Sequence, residues 1–454
     1  MRRLTIIKTL AFIGIGFLLL QLISYVSIFK KQPLSKLEAN EGDLQKENNR
    51  NLYILVYLFQ SKCNGHLVPV FVVEPAVLKA WISVNESTDH NNCVFFCKEK
   101  NIVTFGVLDS DWKNKNDAFI KSLKSGGLTV RRFTEEDPGF VSANRSSLVH
   151  IPTHYLIGQG NRTDPLIHLV VFYTRTDSYF WHSAIVLPQG PDHVIPKITF
   201  AHTSGAYDRF TLTRARIDGL WVFLPHTVKE FLNQVPQSTF IECNHTRAAL
   251  FVGKYGRDDS KKAQLFTRKS RQLLSRAKDV LDDLGVRFWL SSGTCLGWFR
   301  QCDIISYSKD IDIGIFIKDY KEDIVNAFES RGLRLKHVFG KESDSYELSF
   351  QAGEIKLDLF FFYEEVDHVW NGGTEAWVGN KFKYIFPKFT LCWTELLELR
   401  VRVPCQTESY IRANYGEDWF VPVAAWNWKK SPPNVQPNGV WPKQEWEKVM
   451  QVYE

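Results

Sequence analysis

Charge excess is scarce in this sequence: Lys plus Arg number 56 and Asp plus Glu 50, a net charge of +6 over 454 residues. No concentrated basic stripe runs along it, so its charge does not demand nucleic acid as a partner, and none is expected. No segment recurs at solenoid periods, which excludes a repeat architecture. Cys93 and Cys97 have no matching Cys or His pair at zinc spacing, so they read as a structural disulfide or as buried thiols rather than a metal site. Compositional bias is absent too. Apolar residues at 44% and charged residues at 23% fit a folded chain, not a disordered or collagen-like one. At roughly 150 residues per domain, the length suggests two or three domains. The 14 Trp, 16 Tyr and 33 Phe supply material for a large core.

The first feature present is apolar. Thr9 to Phe29 is a 21-residue run without a charge, preceded by Arg2, Arg3 and Lys8 and followed by Lys30 and Lys31. As a helix it would cover roughly 30 Å, one bilayer core. A cleavable signal peptide is the rival reading. The run is long for one, and no A-x-A-like site follows, so an uncleaved signal anchor over 9–29 is expected, after a short tail at 1–8. The flanking charges nearly tie and do not set orientation. Asn-x-Ser/Thr sequons at Asn85, Asn144, Asn161 and Asn244 all follow the anchor, as do the eight cysteines. Both fit a lumenal body whose compartment permits glycosylation and disulfides. Disulfide pairing stays open at this point. No Ser/Thr/Pro-rich stalk follows the anchor, and residues 30–50 read as a short polar stem.

Residues 51–259 read as an N-terminal lumenal domain of mixed α/β character. Strands are expected over 68–73, 167–173, 183–187 and 220–224, around a Tyr179-Phe-Trp181 aromatic cluster. His168, His182 and His202 share no ligand spacing and read as structural. Asp258-Asp-Ser-Lys-Lys262 looks like a boundary, and residues 260–454 read as a second domain. It opens with a helix. Phe266, Ser270, Leu273, Leu274, Ala277, Val280, Leu281 and Leu284 recur at spacings of three and four, and Gly285 supplies the stop. Val286 to Leu290 reads as a strand.

That strand runs into a small-residue turn, Ser291-Ser-Gly-Thr-Cys295, before a helix from Leu296 to Gln301. A strand, such a turn and a helix start can offer backbone N–H groups to a phosphate. In Lys309-Asp-Ile-Asp-Ile-Gly-Ile-Phe-Ile317 the isoleucines alternate strictly with Asp310, Asp312, Gly314 and Phe316. Period two makes this a strand with both acids on one face, their Cα atoms roughly 6.6 Å apart. Two carboxylates so placed repel unless a cation lies between them, and oxygen ligands at ~2.1 Å suit Mg²⁺ or Mn²⁺. A solvated polar face is the alternative. Glu354-Ile-Lys-Leu-Asp-Leu-Phe-Phe-Phe-Tyr363 is a further strand with one acid, Asp358, in an apolar stretch. Burial there costs several kcal/mol unless the acid is paired or metal-bound. Strand, small turn, helix, D-x-D strand and third-acid strand form the order of a two-metal phosphoryl or nucleotidyl transfer site.

Trp289-Leu-Ser-Ser-Gly-Thr-Cys-Leu-Gly-Trp-Phe-Arg300, Asp310-Ile-Asp-Ile and Leu357-Asp-Leu-Phe together resemble the LicD-type branch of the nucleotidyltransferase-fold superfamily. Phe240-Ile-Glu-Cys243, Trp370-Asn-Gly-Gly373, Phe386 to Trp393 and Ser431 to Asn438 extend the resemblance over nearly the whole chain. It implies an α/β (α+β mixed) nucleotidyltransferase-type catalytic domain. It also implies a single-pass type II Golgi membrane enzyme that transfers ribitol 5-phosphate from CDP-ribitol and releases CMP. The implied acceptor is the N-acetylgalactosamine of the phosphorylated O-mannosyl core glycan of α-dystroglycan, and the implied partners are other Golgi transferases of that glycan. Carried onto this chain, Asp310 and Asp312 would hold the divalent ion, Asp358 would be the third carboxylate, and Gly293 and Thr294 would line the nucleotide-phosphate turn. LicD-type chains often carry further acids just before the D-x-D. Ser308 and Lys309 stand there, which leaves one ion or two open.

Asp358 is a candidate metal ligand or base. Arg300 and Lys309 are candidate phosphate contacts, with exposed surface charge as the alternative. A short helix ends at Gly416, and Trp426, Trp428, Trp441 and Trp446 follow without an assigned role. Two rival readings stay open: a D-x-D sugar-nucleotide glycosyltransferase, and a non-catalytic Golgi scaffold.

Overall fold

The structure is a computed structural model that describes residues 52–84, 95–96, 102–138, 149–159, 166–187 and 198–453. The expected anchor over 9–29, the stem, Cys93, Cys97 and the sequons at Asn85, Asn144 and Asn161 lie outside the described residues. Among the described residues no helix is long and apolar enough to cross a membrane.

The described residues form a mixed α/β structure around two nine-stranded sheets. In the first, the strands Thr129–Glu136, His150–Gly158, Leu166–Arg175, Ile102–Leu108, Phe71–Val72, Leu220–Pro225 and Leu212–Ile217 lie in that spatial order. Leu166–Arg175 runs parallel to Ile102–Leu108. Its Ile-His-Leu-Val-Val-Phe run is buried throughout, the pattern of a strand covered on both faces. Two expected strands need correction. Val68 and residues 70–73 are buried, but the strand is only Phe71–Val72, and Pro69 before it has no N–H to give a ladder. Residues 183–187 are not a strand. The aromatic segment before them is: Tyr179–His182 lies between Leu166–Arg175 and Gly205–Asp208.

The second sheet is built around the helix Lys261–Asp283. Ser260 caps it by accepting the Ala263 N–H at 3.2 Å, and Gly285 beyond its end sits at φ +65. Leu273, Leu274, Ala277 and Leu281 pack in one core with Ile311, Ile313, Ile315, Leu357 and Leu359. The isoleucines of Asp310–Phe316 therefore face this core and its acids point to the opposite side of the sheet. Across the sheet, Phe288–Leu290 pairs with Asp310–Phe316, which runs parallel to Ile355–Glu364. Antiparallel neighbours Asp344–Ala352 and Arg334–Lys341 follow. A disulfide between Cys392 and Cys405 closes the hairpin of Leu391–Leu396 and Leu399–Pro404, and a second joins Cys243 to Cys302.

The two sheets are stitched together at that hairpin. Ile241 N–H donates to the Trp393 carbonyl at 2.8 Å, and Trp393 N–H donates to the Thr239 carbonyl at 2.8 Å. Tyr179 hydroxyl donates to Glu395 at 2.8 Å, and Arg175 pairs with Glu242 and Glu395.

Candidate active site

The helix that follows Phe288–Leu290 starts at Ser292, four residues before the expected Leu296, so the small residues form its first turn. Ser292 adopts φ +40, an uncommon conformation for a residue with a Cβ. The turn grips one residue of the neighbouring strand. Ser291 N–H donates to the Asp312 carbonyl at 3.0 Å, Asp312 N–H donates to the Thr294 hydroxyl at 2.8 Å, and Gly293 N–H donates to Asp312 Oδ2 at 3.1 Å. Thr294 is buried and its hydroxyl accepts that bond, while Gly293 lines a cleft. Both residues thus fix the position of Asp312.

The parallel pairing of Asp310–Phe316 with Ile355–Glu364 sets Asp312 directly beside Asp358. Carboxylate oxygens of Asp310, Asp312 and Asp358 all lie within 4.8 Å of one another, a group that could hold a metal ion. Each is also held by the protein. Ser308 hydroxyl donates to Asp310 Oδ1 at 2.7 Å; Ser349 hydroxyl donates to Asp358 Oδ1 at 2.6 Å; Lys356 Nζ is 2.8 Å from Asp358 Oδ2. Burial pushes the Asp312 carboxyl well above the usual range, and the charges of Asp310 and Asp358 push it further. Burial also raises Asp358, against the pull of Lys356. Three acids in so little water oppose ionisation unless a cation compensates them, so the donor set fits a hard divalent ion.

These acids sit on the floor of a cleft of about 650 Å³. Arg300 and Lys309 line the same cleft. Arg300 is not a surface charge: it is 2% exposed, bonds Gln301 Oε1 at 3.0 Å and lies 4.4 Å from the Phe251 ring centre. Burial lowers its pKa. Lys309 is exposed at the rim and makes no ion pair among the described residues. Asn244, the one described sequon asparagine, caps the helix His245–Tyr255 away from this cleft by accepting the Arg247 N–H at 2.8 Å.

Several cleft residues carry no assignment from the sequence. Lys356 stands two positions before Asp358, so period two alone puts it on the acidic face. Glu347 reaches that face through the pairing of Asp344–Ala352, a register the sequence does not state. Burial, with Asp358 nearby, pushes the Glu347 carboxyl up to about 8, while Lys356 opposes the rise. Trp426 and Trp428 line the same cleft as the acids, with Trp426 against Tyr415 at 4.8 Å between ring centres. Trp441 is buried elsewhere and donates to Thr374 at 3.1 Å.

Comparison with known proteins gives two matches. The family profile described as "Fukutin N-terminal" matches residues 1–271, and that of the "LicD/FKTN/FKRP, nucleotidyltransferase domain" matches residues 285–406. The chain is 46% identical to the mouse and human proteins named ribitol-5-phosphate transferase FKTN, over 85% of its own length and 85% of theirs. It belongs to the fukutin family. A human protein named ribitol 5-phosphate transferase FKRP is 28% identical over 136 residues, covering 27% of this chain and 26% of that one. Within this fukutin-family chain, all three acids, Gly293, Thr294, Arg300 and Lys309 fall inside the LicD match, whereas the wall with Trp426 and Trp428 lies beyond residue 406.

Proposed function

We propose that this protein is a ribitol-5-phosphate transferase that uses CDP-ribitol and releases CMP. The names of its relatives support the reaction class. The observation that carries the reading is the meeting of Asp310, Asp312 and Asp358 on the floor of a cleft with room for a nucleoside diphosphate ester.

Asp310, Asp312 and Asp358 would hold a Mg²⁺ or Mn²⁺ ion, which when bound neutralises the pyrophosphate and the charge developing on the leaving oxygen. The chain's own residues do the rest. The Gly293–Thr294 turn fixes Asp312, and Ser349 and Lys356 fix Asp358. Arg300, buried and without a carboxylate partner among the described residues, and Lys309 at the rim are cations available to the donor phosphates. Trp426 and Trp428 in the cleft lining give the nucleoside an aromatic surface.

The acceptor under this reading is the N-acetylgalactosamine of the phosphorylated O-mannosyl core glycan of α-dystroglycan, with fukutin-related protein adding the next ribitol phosphate. The protein acts as a single-pass type II Golgi membrane protein, anchored by residues 9–29, with residues 51–259 and 260–454 as lumenal domains. Asn85, Asn144, Asn161 and Asn244 are its glycan acceptors.

The test offers the purified protein CDP-ribitol or UDP-sugars with Mn²⁺, Mg²⁺ or chelator, and identifies the released nucleotide and the product mass. CMP release with a phosphorus-bearing product, lost in chelator, is expected. UDP release with a hexose added would replace this reading with a glycosyltransferase.

A further inference from the structure

On the acidic face of the second sheet, four carboxylates line the cleft, and they fall into two classes. Asp310, Asp312 and Asp358 converge, and each takes at least one hydrogen bond from the protein. Glu347 stands apart. It lies two residues from Ser349 on the strand beyond Asp358, opposite Phe360 on one side and Phe339 on the other. Among the described residues its carboxylate takes no hydrogen bond and forms no ion pair, although it lines the cleft. Two of the nearby donors are engaged with other groups. Lys356 is on Asp358 at 2.8 Å, and the Tyr384 hydroxyl donates to the Trp428 carbonyl at 2.8 Å. A carboxylate flanked by two aromatic rings, with no protein donor, is poised to accept a hydrogen bond from a substrate hydroxyl.

We propose that Glu347 is the general base of the transfer, receiving the proton of the attacking acceptor hydroxyl. This rests on the transferase reading above and assigns a residue to its nucleophile. In the step, the acceptor oxygen forms a bond to the ribitol-bearing phosphorus. The bond from that phosphorus to the CMP oxygen breaks, its electron pair leaving with CMP, and the hydroxyl proton passes to the Glu347 carboxylate. Asp358 is the poorer base, since Ser349 and Lys356 already occupy its oxygens. The assignment also sets direction. The acceptor enters on the side of Asp344–Ala352 and Arg334–Lys341, and CMP leaves on the side of the turn at Gly293.

The test uses the full-length protein in detergent, with CDP-ribitol and an acceptor glycopeptide carrying N-acetylgalactosamine. Wild type, Glu347→Gln and Glu347→Asp are compared for kcat, for donor KM and for CDP binding by calorimetry. Glu347→Gln keeps the shape but not the basicity. It should lower kcat by about 10²–10⁴-fold while donor KM and CDP affinity stay within about twofold, and Glu347→Asp should recover part of the loss. Turnover of Glu347→Gln close to wild type overturns the assignment, as does a loss matched by equal weakening of CDP binding. A wild-type protein that releases no CMP sinks the transferase reading itself, and the base with it. Wild-type transfer together with an active Gln variant sinks only the role of Glu347.

Discussion

The two sheets bury polar groups in opposite ways. In the first, His154, His168 and His182 are enclosed by the protein, with His168 Nε2 3.2 Å from His154 Nδ1 and the His182 ring packed among Phe172, Phe200 and Tyr207. Burial drives all three below the usual imidazole range, His168 to about 3 and His182 to about 4, so they stay neutral and close the core. In the second sheet Asp312 and Asp358 are buried on a face that opens to a cleft, and burial raises them. A neutral histidine needs no counter-charge from outside, although each of the three keeps one ring nitrogen without a partner among the described residues. Three clustered carboxylates do need something, and that need points to a ligand.

The largest expected effect on this contrast is at the acids. Asp312→Asn should lower transfer by about 10²–10³-fold without lowering the melting temperature, because it removes like-charge repulsion and keeps an acceptor for Gly293 N–H. A kinetic assay beside a thermal melt checks both. Next, Trp426→Ala should raise the donor KM by about tenfold, from the ~1–1.5 kcal/mol of an aromatic contact, with kcat little changed; a KM series across CDP-ribitol concentrations reads it. In the first sheet, the expected signature is stability without activity. A Cβ at Gly106 would come within 2.5 Å of the Phe71 ring. Gly106→Ala should therefore cost about 1–3 kcal/mol in denaturant titration, with turnover at 25 °C unchanged.

The smallest effect concerns pH. Groups whose folded pKa lies below the unfolded value near 6.5 stabilise above that value, and the contribution is lost as pH falls through the folded values. For His182 the window runs from about 6.5 down to about 4. His182→Phe should flatten the fall in stability across that range by up to one proton, measured as the slope of unfolding free energy against pH. An unchanged slope would place the proton uptake elsewhere.

What the sequence makes legible is local. The spacing of Leu273, Leu274, Ala277 and Leu281 defines the helix Lys261–Asp283, and the isoleucine alternation puts Asp310 and Asp312 on one face. The lone acid in an apolar strand singles out Asp358. What escapes is set by pairing between distant segments. Glu347 joins the acidic face only through the register of Asp344–Ala352, and His154 meets His168 only because His150–Gly158 pairs with Leu166–Arg175. The wall with Trp426 and Trp428 is irregular chain after the helix Thr407–Tyr415, with no period to announce it. Lys356 was legible by period two and needed only Asp358 as its reference.

Calorimetric titration of Mn²⁺ into the full-length protein, wild type against Asp312→Asn, tests the role of the three acids most directly. The expected result is saturable binding by wild type, weakened at least about tenfold in the variant, with CDP-ribitol transfer falling in parallel. Equal Mn²⁺ affinity in both proteins, or full transfer by a variant that no longer binds the ion, would contradict it.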